Sequence, residues 1–550
     1  MGTAVYVPSQ IGDIQGLRAT IDREQVVSGD GRPYWSGARV VAVTPGGKTI
    51  TGTDASGFPA SGAFTVGATT VTYLSKSGNT FLNCIVASGT LTVSAGDTLT
   101  EVGGDGSTTL VPVGTTAVAL VSPKQLTRTP FHIEYECNAV RLLFSNMASA
   151  SDGAEVPNAN PIHVSATVEY DNRLYPVQFN GAAVIEIQPG NLIQSDLVLL
   201  NIPADTDIHV RTHIEVSPGE QAWPNIRLLT AGAAVPATDT WIAGDSAAGY
   251  LTTGYVPTPT VTDSTGYTAV CVVGVPAGGT VSPCLYALGD SITAAYNDFH
   301  DGWVRRACHG ILPFINVSSG GESAVDFNTN CGLRSQLVKG CTHAVTGYGV
   351  NDIAGGADLA DMQARLGAEW GWLHDLGIPV DAICIMPRTT STDLWLTEGN
   401  QTYVDAGAEV QRLLVNEWLL TEPSPLRKVW DTKAVVEHDG VWKAAVQVYT
   451  GSVTTRSTGP YLYDSTKAWT TSELVNAVVV LTHAGGSTEK KALGQNRNNY
   501  AAISTGSWAS PAEVGDTYII YQPYTYDGIH PSRYGYAAIA AIIDPGEWVI

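Results

Sequence analysis

The chain has 550 residues, of which 44% are apolar and 15% are charged, and its formal net charge is −22. This length predicts about three to five domains, and the acidic balance argues against nucleic acid as a partner, because phosphate binding needs clustered Lys and Arg. No run of about 18 apolar residues is present and the N-terminus lacks a basic start before an apolar core, so neither a membrane span nor a secretory signal peptide is expected.

The first half of the chain is predicted to be rich in β-structure. Residues 1–125 contain short alternating runs of Val, Thr and Ile between Gly-Gly and Ser-Gly turn signals, which is typical of a β-rich module. This module has no residues at catalytic spacing and is a candidate assembly anchor. Residues 126–283 contain strand candidates at regular spacing, such as "IHVSATVEY" and "DIHVRTHIEV", which favour a jelly-roll-like β-sandwich.

Strands and helices begin to alternate at residue 284. The segments "CLYALG", "THAVTGYG" and "VDAICIMP" are predicted strands, and "ADLADMQARLGAEWGWLHDLG" is a predicted amphipathic helix. This alternation predicts a parallel sheet covered on both faces by helices over residues 284–432. The sequence becomes β-like again at 433–523 and returns to a turn and a helix at 524–550. We therefore interpret 433–523 as a β-rich insertion in the α/β domain.

Four polar segments follow predicted strands or open a predicted helix. They are Gly289-Asp290-Ser291, Gly320-Gly321, Gly349-Val350-Asn351-Asp352 and Asp527-Gly528-Ile529-His530. In an open parallel α/β sheet, the functional site lies beyond the C-terminal ends of the strands. A serine nucleophile needs a base, a partner that orients the base, and donors for the oxyanion, so these segments predict a serine-based site.

These four segments resemble the SGNH hydrolases, also called the GDSL family. The matching motifs are "GDSIT" at 289–293, "SGGES" at 319–323, "GVND" at 349–352 and "DGIH" at 527–530, in the order of the family. The resemblance covers residues 284–432 and 524–550, and more weakly the sandwich before them. It implies an α/β/α domain with a flavodoxin-like parallel sheet and the activity of a serine esterase.

The resemblance also implies a role for each matching residue. Ser291 would attack the ester carbonyl, His530 would take its proton and later return it, and Asp527 would orient the imidazole. The backbone N–H groups of Ser291 and Gly321 and the side-chain amide of Asn351 would form the oxyanion hole. Neither a cofactor nor a metal is implied. The insertion enters between the last strand and the Asp527–His530 motif, so we expect its ends near the rim of the active site.

Several single residues also have a purely structural interpretation. Gly-Asp-Ser could be a β-turn with a helix cap, and Asp290 and Asp352 are expected to be structural. Four histidines without a partner at metal-ligand spacing are also expected to be structural, namely His300, His309, His343 and His374. Four tryptophans are expected in the core or, for some, stacked on sugar rings, namely Trp395, Trp442, Trp469 and Trp508. The eight cysteines contain no CxxC pair, and a bridge between Cys331 and Cys341 stays open.

The leading hypothesis is an esterase that removes acetyl or other short acyl groups from a surface polysaccharide. Small β modules such as "YDSTKAWTTSELVNAVVVLTHAGG" are similar to those of tailed-bacteriophage structural proteins, which favours a tail or virion protein that acts outside the host after lysis. Its partners would then be virion proteins or further copies of the chain, for instance in a trimer. The alternatives are an ordinary bacterial acetyl esterase or lipase-like esterase of the cytoplasm, an acyltransferase, and a non-catalytic glycan-binding protein.

Overall fold

A computed structural model describes most of the chain from residue 124 onward. The described ranges are 124–149, 155–157, 160–216, 265–277 and 283–549, with short gaps at 268, 297, 299–301, 333 and 471–472. Residue 251, the strands at 226–227 and 240–243, and short strands between 49 and 109 are also described. Most of the predicted N-terminal module, including its proposed role as an anchor, therefore lies outside the described residues.

A five-stranded parallel sheet forms the centre of the region that begins at residue 284. Its strands are β1 (Leu285–Gly289), β2 (Phe314–Asn316), β3 (His343–Gly347), β4 (Val380–Ile383) and β5 (Leu426–Trp430). Their order in the sheet is β2-β1-β3-β4-β5, and every neighbouring pair is parallel. All residues of β1 and β3 are buried, as expected for strands covered on both faces. The parallel arrangement agrees with the sequence pattern, while the flavodoxin-like classification stays a prediction.

Seven helices accompany this sheet in the described residues. They are α1 (Gly302–Cys308), α2 (Ala324–Asn330), α3 (Val350–Ala354), α4 (Leu359–Asp375), α5 (Ala406–Leu419), α6 (Lys433–Val436) and α7 (Arg533–Ala540). The helix α1 is shorter than its sequence pattern suggests, because Gly310 has a φ of +73° and Pro313 follows. None of the described helices is long and apolar enough to span a membrane.

Two antiparallel sheets precede the parallel sheet. The first contains Cys137–Ser145, Leu192–Gln194, Val198–Ile202 and Cys271–Pro276; the second contains Lys124–Ile133, Ile162–Tyr170, Arg173–Pro176, Ile185–Ile187, Thr206–Glu215 and Thr240–Ala243. Buried side chains of both sheets, such as Phe144 and Ile208, share one continuous core with Leu288 of β1. The assignment of these sheets to a jelly-roll-like sandwich stays a prediction.

The predicted insertion contains a six-stranded antiparallel sheet. Its strands, in sheet order, are Val446–Ser452, Thr517–Gln522, Val478–Thr482, Thr488–Arg497, Tyr500–Ile503 and Tyr461–Tyr463. They enclose a hydrophobic core of their own, which includes Trp469 and Trp508. Trp442 is also buried, so these three tryptophans are core residues and are not available for stacking on sugars. Trp395 is only partly buried.

Cys331 and Cys341 are not bridged. Both are free thiols, and the sulfur nearest to Cys341 Sγ is that of Cys284, at 3.6 Å. The bridge that the sequence left open therefore does not form in this structure.

Candidate active site

The end of β1 is built from small residues because another side chain packs over it. Gly289 of β1 pairs with Gly347 of β3. A Cβ atom added to either glycine would lie 2.4 Å from Thr293 Oγ1, so only glycine leaves room for Thr293 at this position. The chain then turns at Asp290 and Ser291, and the Asp290 carboxylate accepts a hydrogen bond of 2.9 Å from the Ile292 amide. Burial raises the pKa of Asp290 to about 8, while the hydrogen bond to the Ile292 amide lets this side chain brace the turn.

Ser291, His530 and Asp527 form a chain of hydrogen bonds. His530 Nε2 lies 2.8 Å from Ser291 Oγ, and His530 Nδ1 lies 2.7 Å from Asp527 Oδ2. The other carboxylate oxygen of Asp527 accepts hydrogen bonds from the backbone amides of Ile529 and His530, at 2.9 and 2.8 Å. The structure thus brings together Ser291, His530 and Asp527, the three residues for which the resemblance implied the roles of a catalytic triad.

The Asp527 carboxylate is held in its ionised form. Burial by itself would raise the pKa of this group, but the hydrogen bond and the charge of His530, together with the two backbone donors, lower the pKa below its usual value. An ionised carboxylate accepts a hydrogen bond from the Nδ1–H of His530, which leaves Nε2 as the acceptor that faces the Ser291 hydroxyl. This is the tautomer that a general base requires.

The turn that carries Asp527 and His530 is fixed from outside by two neighbouring segments. Gly528 has a φ of +85°, and a Cβ atom there would lie 1.8 Å from the carbonyl oxygen of Thr389. The Gly528 carbonyl accepts hydrogen bonds from the Thr389 amide at 2.9 Å and from Trp442 Nε1 at 3.0 Å. Trp442 lies in the predicted insertion, so the start of the insertion contacts the catalytic turn.

A tyrosine that the sequence analysis missed stacks on the histidine. The rings of Tyr296 and His530 have centroids 4.0 Å apart and an interplanar angle of 20°. Tyr526 stacks against Tyr296 in turn, at 6.3 Å. The signal in the sequence was weak, because Tyr296 lies five residues after Ser291 in a stretch without regular periodicity. The stack restricts the imidazole to the plane in which it reaches both Ser291 and Asp527.

Ser291 and His530 open into a pocket of about 190 Å³. The pocket is lined by Ser291, Tyr296, Gly320, Gly321, Val350, Asn351, Arg388, Ile529 and His530. The predicted oxyanion donors therefore surround the predicted nucleophile. Gly321 has a φ of +81°, a conformation that favours glycine. No described residue accepts a hydrogen bond from the backbone N–H of Ser291 or of Gly321.

The Asn351 side chain is oriented by a single backbone contact. Its Nδ2 donates to the Glu322 carbonyl at 3.0 Å. A primary amide carries two N–H donors, so the second can point towards the pocket. Asp352, the next residue, accepts hydrogen bonds from the Ala324 amide and from Arg365, both at 3.0 Å. It acts as a structural anchor, in agreement with the sequence analysis.

A buried ion pair lies behind the Gly321 loop. Arg334 donates to both oxygens of Glu322, at 2.6 and 3.2 Å, and Tyr348 donates to the same carboxylate at 2.8 Å. Both charged side chains are almost completely buried. Because Glu322 directly follows Gly321, this network fixes the backbone that carries a predicted oxyanion donor. No motif or spacing along the chain pointed to Arg334.

One group of side chains outside this pocket has ligand atoms at a distance that a metal could bridge. The ligand atoms of His132, Glu134 and His309 lie within 4.8 Å of one another. His132 also contacts Asp207 at 2.8 Å and Asp205 at 3.2 Å, so ion pairs already account for its position. The partners of His309 come from the β-rich region and could not be found from spacing along the chain.

No family model and no curated protein matches the chain. Solved structures that resemble parts of it are GDSL-type hydrolases and esterases. A psychrotrophic esterase from Pseudoalteromonas sp. is 16% identical and matches over 29% of this chain and 87% of that chain, with a TM-score of 0.22. A GDSL-like lipase from Bacteroides thetaiotaomicron is 12% identical over 48% and 86%, with a TM-score of 0.25. A member of the lipolytic G-D-S-L family from Veillonella parvula is 22% identical over 28% and 80%, with a TM-score of 0.22. Since all three scores are below 0.5, the functional argument rests on the site geometry of the chain itself.

Proposed function

We propose that the protein is a serine ester hydrolase of the SGNH type. The observation that carries this proposal is the continuous hydrogen-bonded chain from Asp527 through His530 to Ser291 Oγ, at the edge of a pocket that Gly321 and Asn351 also line. Each part of a nucleophilic site is present within reach of the others.

In the proposed reaction, Ser291 Oγ attacks the ester carbonyl while His530 Nε2 takes the hydroxyl proton. The carbonyl oxygen becomes an oxyanion that the N–H groups of Ser291 and Gly321 and the amide of Asn351 stabilise. The tetrahedral species collapses, His530 gives its proton to the leaving alcohol, and an acyl-serine remains. A water molecule, deprotonated by His530, attacks the acyl-serine in the same way, which releases the carboxylic acid and restores Ser291.

We also propose that the acyl group is short and that the alcohol is a carbohydrate hydroxyl. The pocket of about 190 Å³ is smaller than the roughly 300–1,000 Å³ of typical ligand pockets, which suits an acetyl group together with one sugar ring. The contact of Trp442 with the catalytic turn supports a role of the insertion in shaping the groove for a polymer. A tail or virion protein that meets its polysaccharide outside the host would fit this activity. The support for that location is the phage-like composition of 56–81 and 463–486.

A longer acyl chain is a second candidate, because another pocket adjoins the first. This pocket of about 200 Å³ shares Val350 and Arg388 with the Ser291 pocket. Its apolar wall includes Ile353, Ile385 and Met386. A lipase-like esterase would place the acyl chain against this wall.

Release of 4-nitrophenol from acetyl, butyryl and octanoyl esters tests both candidates. The wild type should hydrolyse the acetyl ester fastest, and Ser291→Ala should lower kcat/KM about 10⁴- to 10⁶-fold. Ser335→Ala is the matched control and should retain full activity, because Ser335 does not line the pocket and its hydroxyl donates to the Gly332 carbonyl. A preference for the octanoyl ester would favour the second candidate. A folded wild type that hydrolyses none of the esters would contradict the proposed function and favour a glycan-binding protein.

A further inference from the structure

A single arginine lines the active-site pocket. Arg388 follows β4 and lies at the junction of the Ser291 pocket and the second pocket, where Val350 is the other shared residue. Among the residues that line the Ser291 pocket, it is the only one with a permanent positive charge. In a chain with a net charge of −22, a cation at this position needs an explanation.

The Arg388 guanidinium has no protein partner in the described part of the chain. Its Nε is buried and no described residue accepts a hydrogen bond from it. Arg388 is partly exposed to the pocket, whereas the two buried arginines Arg334 and Arg412 form ion pairs through their terminal nitrogens with Glu322 and Glu409. Because Arg388 lines both pockets, its guanidinium donors are open to an acceptor on a bound ligand.

The acids nearest to Arg388 are already engaged by other donors. Asp405 and Glu409 line the second pocket. Asp405 accepts hydrogen bonds from the amides of Gly407 and Ala408, at 2.7 and 3.0 Å, and caps α5. Glu409 accepts two hydrogen bonds from Arg412, at 2.8 and 2.7 Å. The amides of Ala408 and Gly407, together with the positive charge of Arg388, lower the pKa of Asp405. No hydrogen bond or ion pair within 4.0 Å joins Arg388 to either carboxylate in the described residues.

The backbone around Arg388 is fixed relative to the catalytic turn. The Arg388 carbonyl accepts a hydrogen bond of 3.1 Å from the Val404 amide, and the next amide, that of Thr389, donates to the Gly528 carbonyl at 2.9 Å. Gly528 lies between Asp527 and His530 in the sequence. The backbone of Arg388 is thus held in place before any ligand binds, so that only the side chain has to be ordered on binding.

We propose that Arg388 binds a carboxylate of the substrate beside the scissile ester, so that the enzyme prefers acidic esters such as O-acylated uronic acids. A guanidinium presents two parallel N–H donors that match the two oxygens of a carboxylate. The proposal rests on the proposed ester hydrolysis and specifies its substrate class. The bound carboxylate takes no part in bond making or breaking, and it orients the ester towards Ser291.

The experiment compares two acetate esters that differ in charge, 3-acetoxybenzoate and 3-acetoxybenzamide. The ratio of their kcat/KM values is measured for the wild type, Arg388→Met and Arg388→Lys. We expect the wild type to favour the benzoate and Arg388→Met to lower this ratio about 10- to 100-fold, which is the usual effect of losing a hydrogen bond to a charged group. Arg388→Lys should retain part of the preference, because it keeps the charge without the bidentate geometry.

Arg456→Met is the matched control. Arg456 is an exposed arginine of the insertion that pairs with Glu513, and its loss should not change the ratio. In the wild type, raising the ionic strength should weaken the preference for the benzoate, a measurement that needs no variant. An equal ratio in wild type and Arg388→Met, with both esters hydrolysed, would overturn the role of Arg388. If the wild type hydrolyses neither these esters nor 4-nitrophenyl acetate, the proposed function itself is wrong.

Discussion

His530 Nε2 lies 2.8 Å from Ser291 Oγ although 239 positions separate the two residues along the chain. Along the chain, the six strands of the insertion come between β5 and the turn that carries His530. That turn nevertheless meets Ser291, because Thr389 and Trp442 hold the Gly528 carbonyl. The insertion therefore adds a folded unit with its own core while the catalytic contact is kept.

Replacing Asp527, the acid that orients His530, should slow the reaction although the base His530 is still present. In Asp527→Asn, the side-chain amide can donate to His530 Nδ1, which moves the imidazole proton to Nε2, where it cannot accept the Ser291 proton. We expect kcat to fall about 10⁴-fold, with little change in KM. Steady-state hydrolysis of 4-nitrophenyl acetate checks this. A loss of less than about tenfold would show that Asp527 does not select the tautomer.

Removing the side-chain amide of Asn351, a proposed oxyanion donor, should destabilise the transition state more than the bound substrate. Asn351→Ala deletes the side-chain amide of a residue that lines the pocket, and we expect a loss in kcat of about 10²- to 10³-fold. Asn328→Ala is the matched control, because Asn328 is exposed on α2 and donates to the Arg365 carbonyl. If the two variants have the same kcat, Asn351 is not part of the oxyanion hole.

A methyl group at Gly528 should displace the catalytic turn. A Cβ atom there would lie 1.8 Å from the Thr389 carbonyl oxygen, so Gly528→Ala must move either the turn or the segment beside it. We expect kcat to fall at least about 100-fold, since small misplacements of catalytic groups are costly. Gly506→Ala is the control, because Gly506 has a similar φ of +75° and nothing lies within 4 Å of its added Cβ. Equal activity in both variants would mean that the turn tolerates the shift.

The buried Asp290 should make the stability of the domain depend on pH. Its pKa is raised from 3.8 to about 8 by burial, so protonation favours the folded state. The stability that the protonated Asp290 side chain allows the folded state is fully present below the unfolded pKa of 3.8. It is lost as the pH rises through the folded-state pKa of about 8. Asp290→Asn cannot ionise, so between pH 5 and 9 it should gain stability relative to the wild type, by at most about 1.4 kcal/mol per pH unit. Urea denaturation of both proteins across this range checks the slope, and a constant difference would contradict it.

The sequence by itself determined the parallel strands, the long helix α4 and the four segments that meet at the pocket. These features are local: a run of apolar residues fixes a buried strand, and Gly-Asp-Ser or Asp-Gly-Ile-His fixes the turn that ends or follows it. The rule that sites lie beyond the C-terminal ends of parallel strands then placed Ser291, Gly321 and Asn351 on one edge.

Only the tertiary structure decided which other side chains complete the site. Arg334 reaches Glu322 from a separate helical turn, Tyr296 stacks on His530, and Arg388 lines the Ser291 pocket with no ion-pair partner among the described residues. Arg388 directly follows the predicted strand "VDAICIMP", so the strand-end rule could have suggested it. Its lack of an ion pair could not have been predicted, because whether a charge is satisfied depends on every segment that packs around it, and spacing along the chain does not encode those contacts.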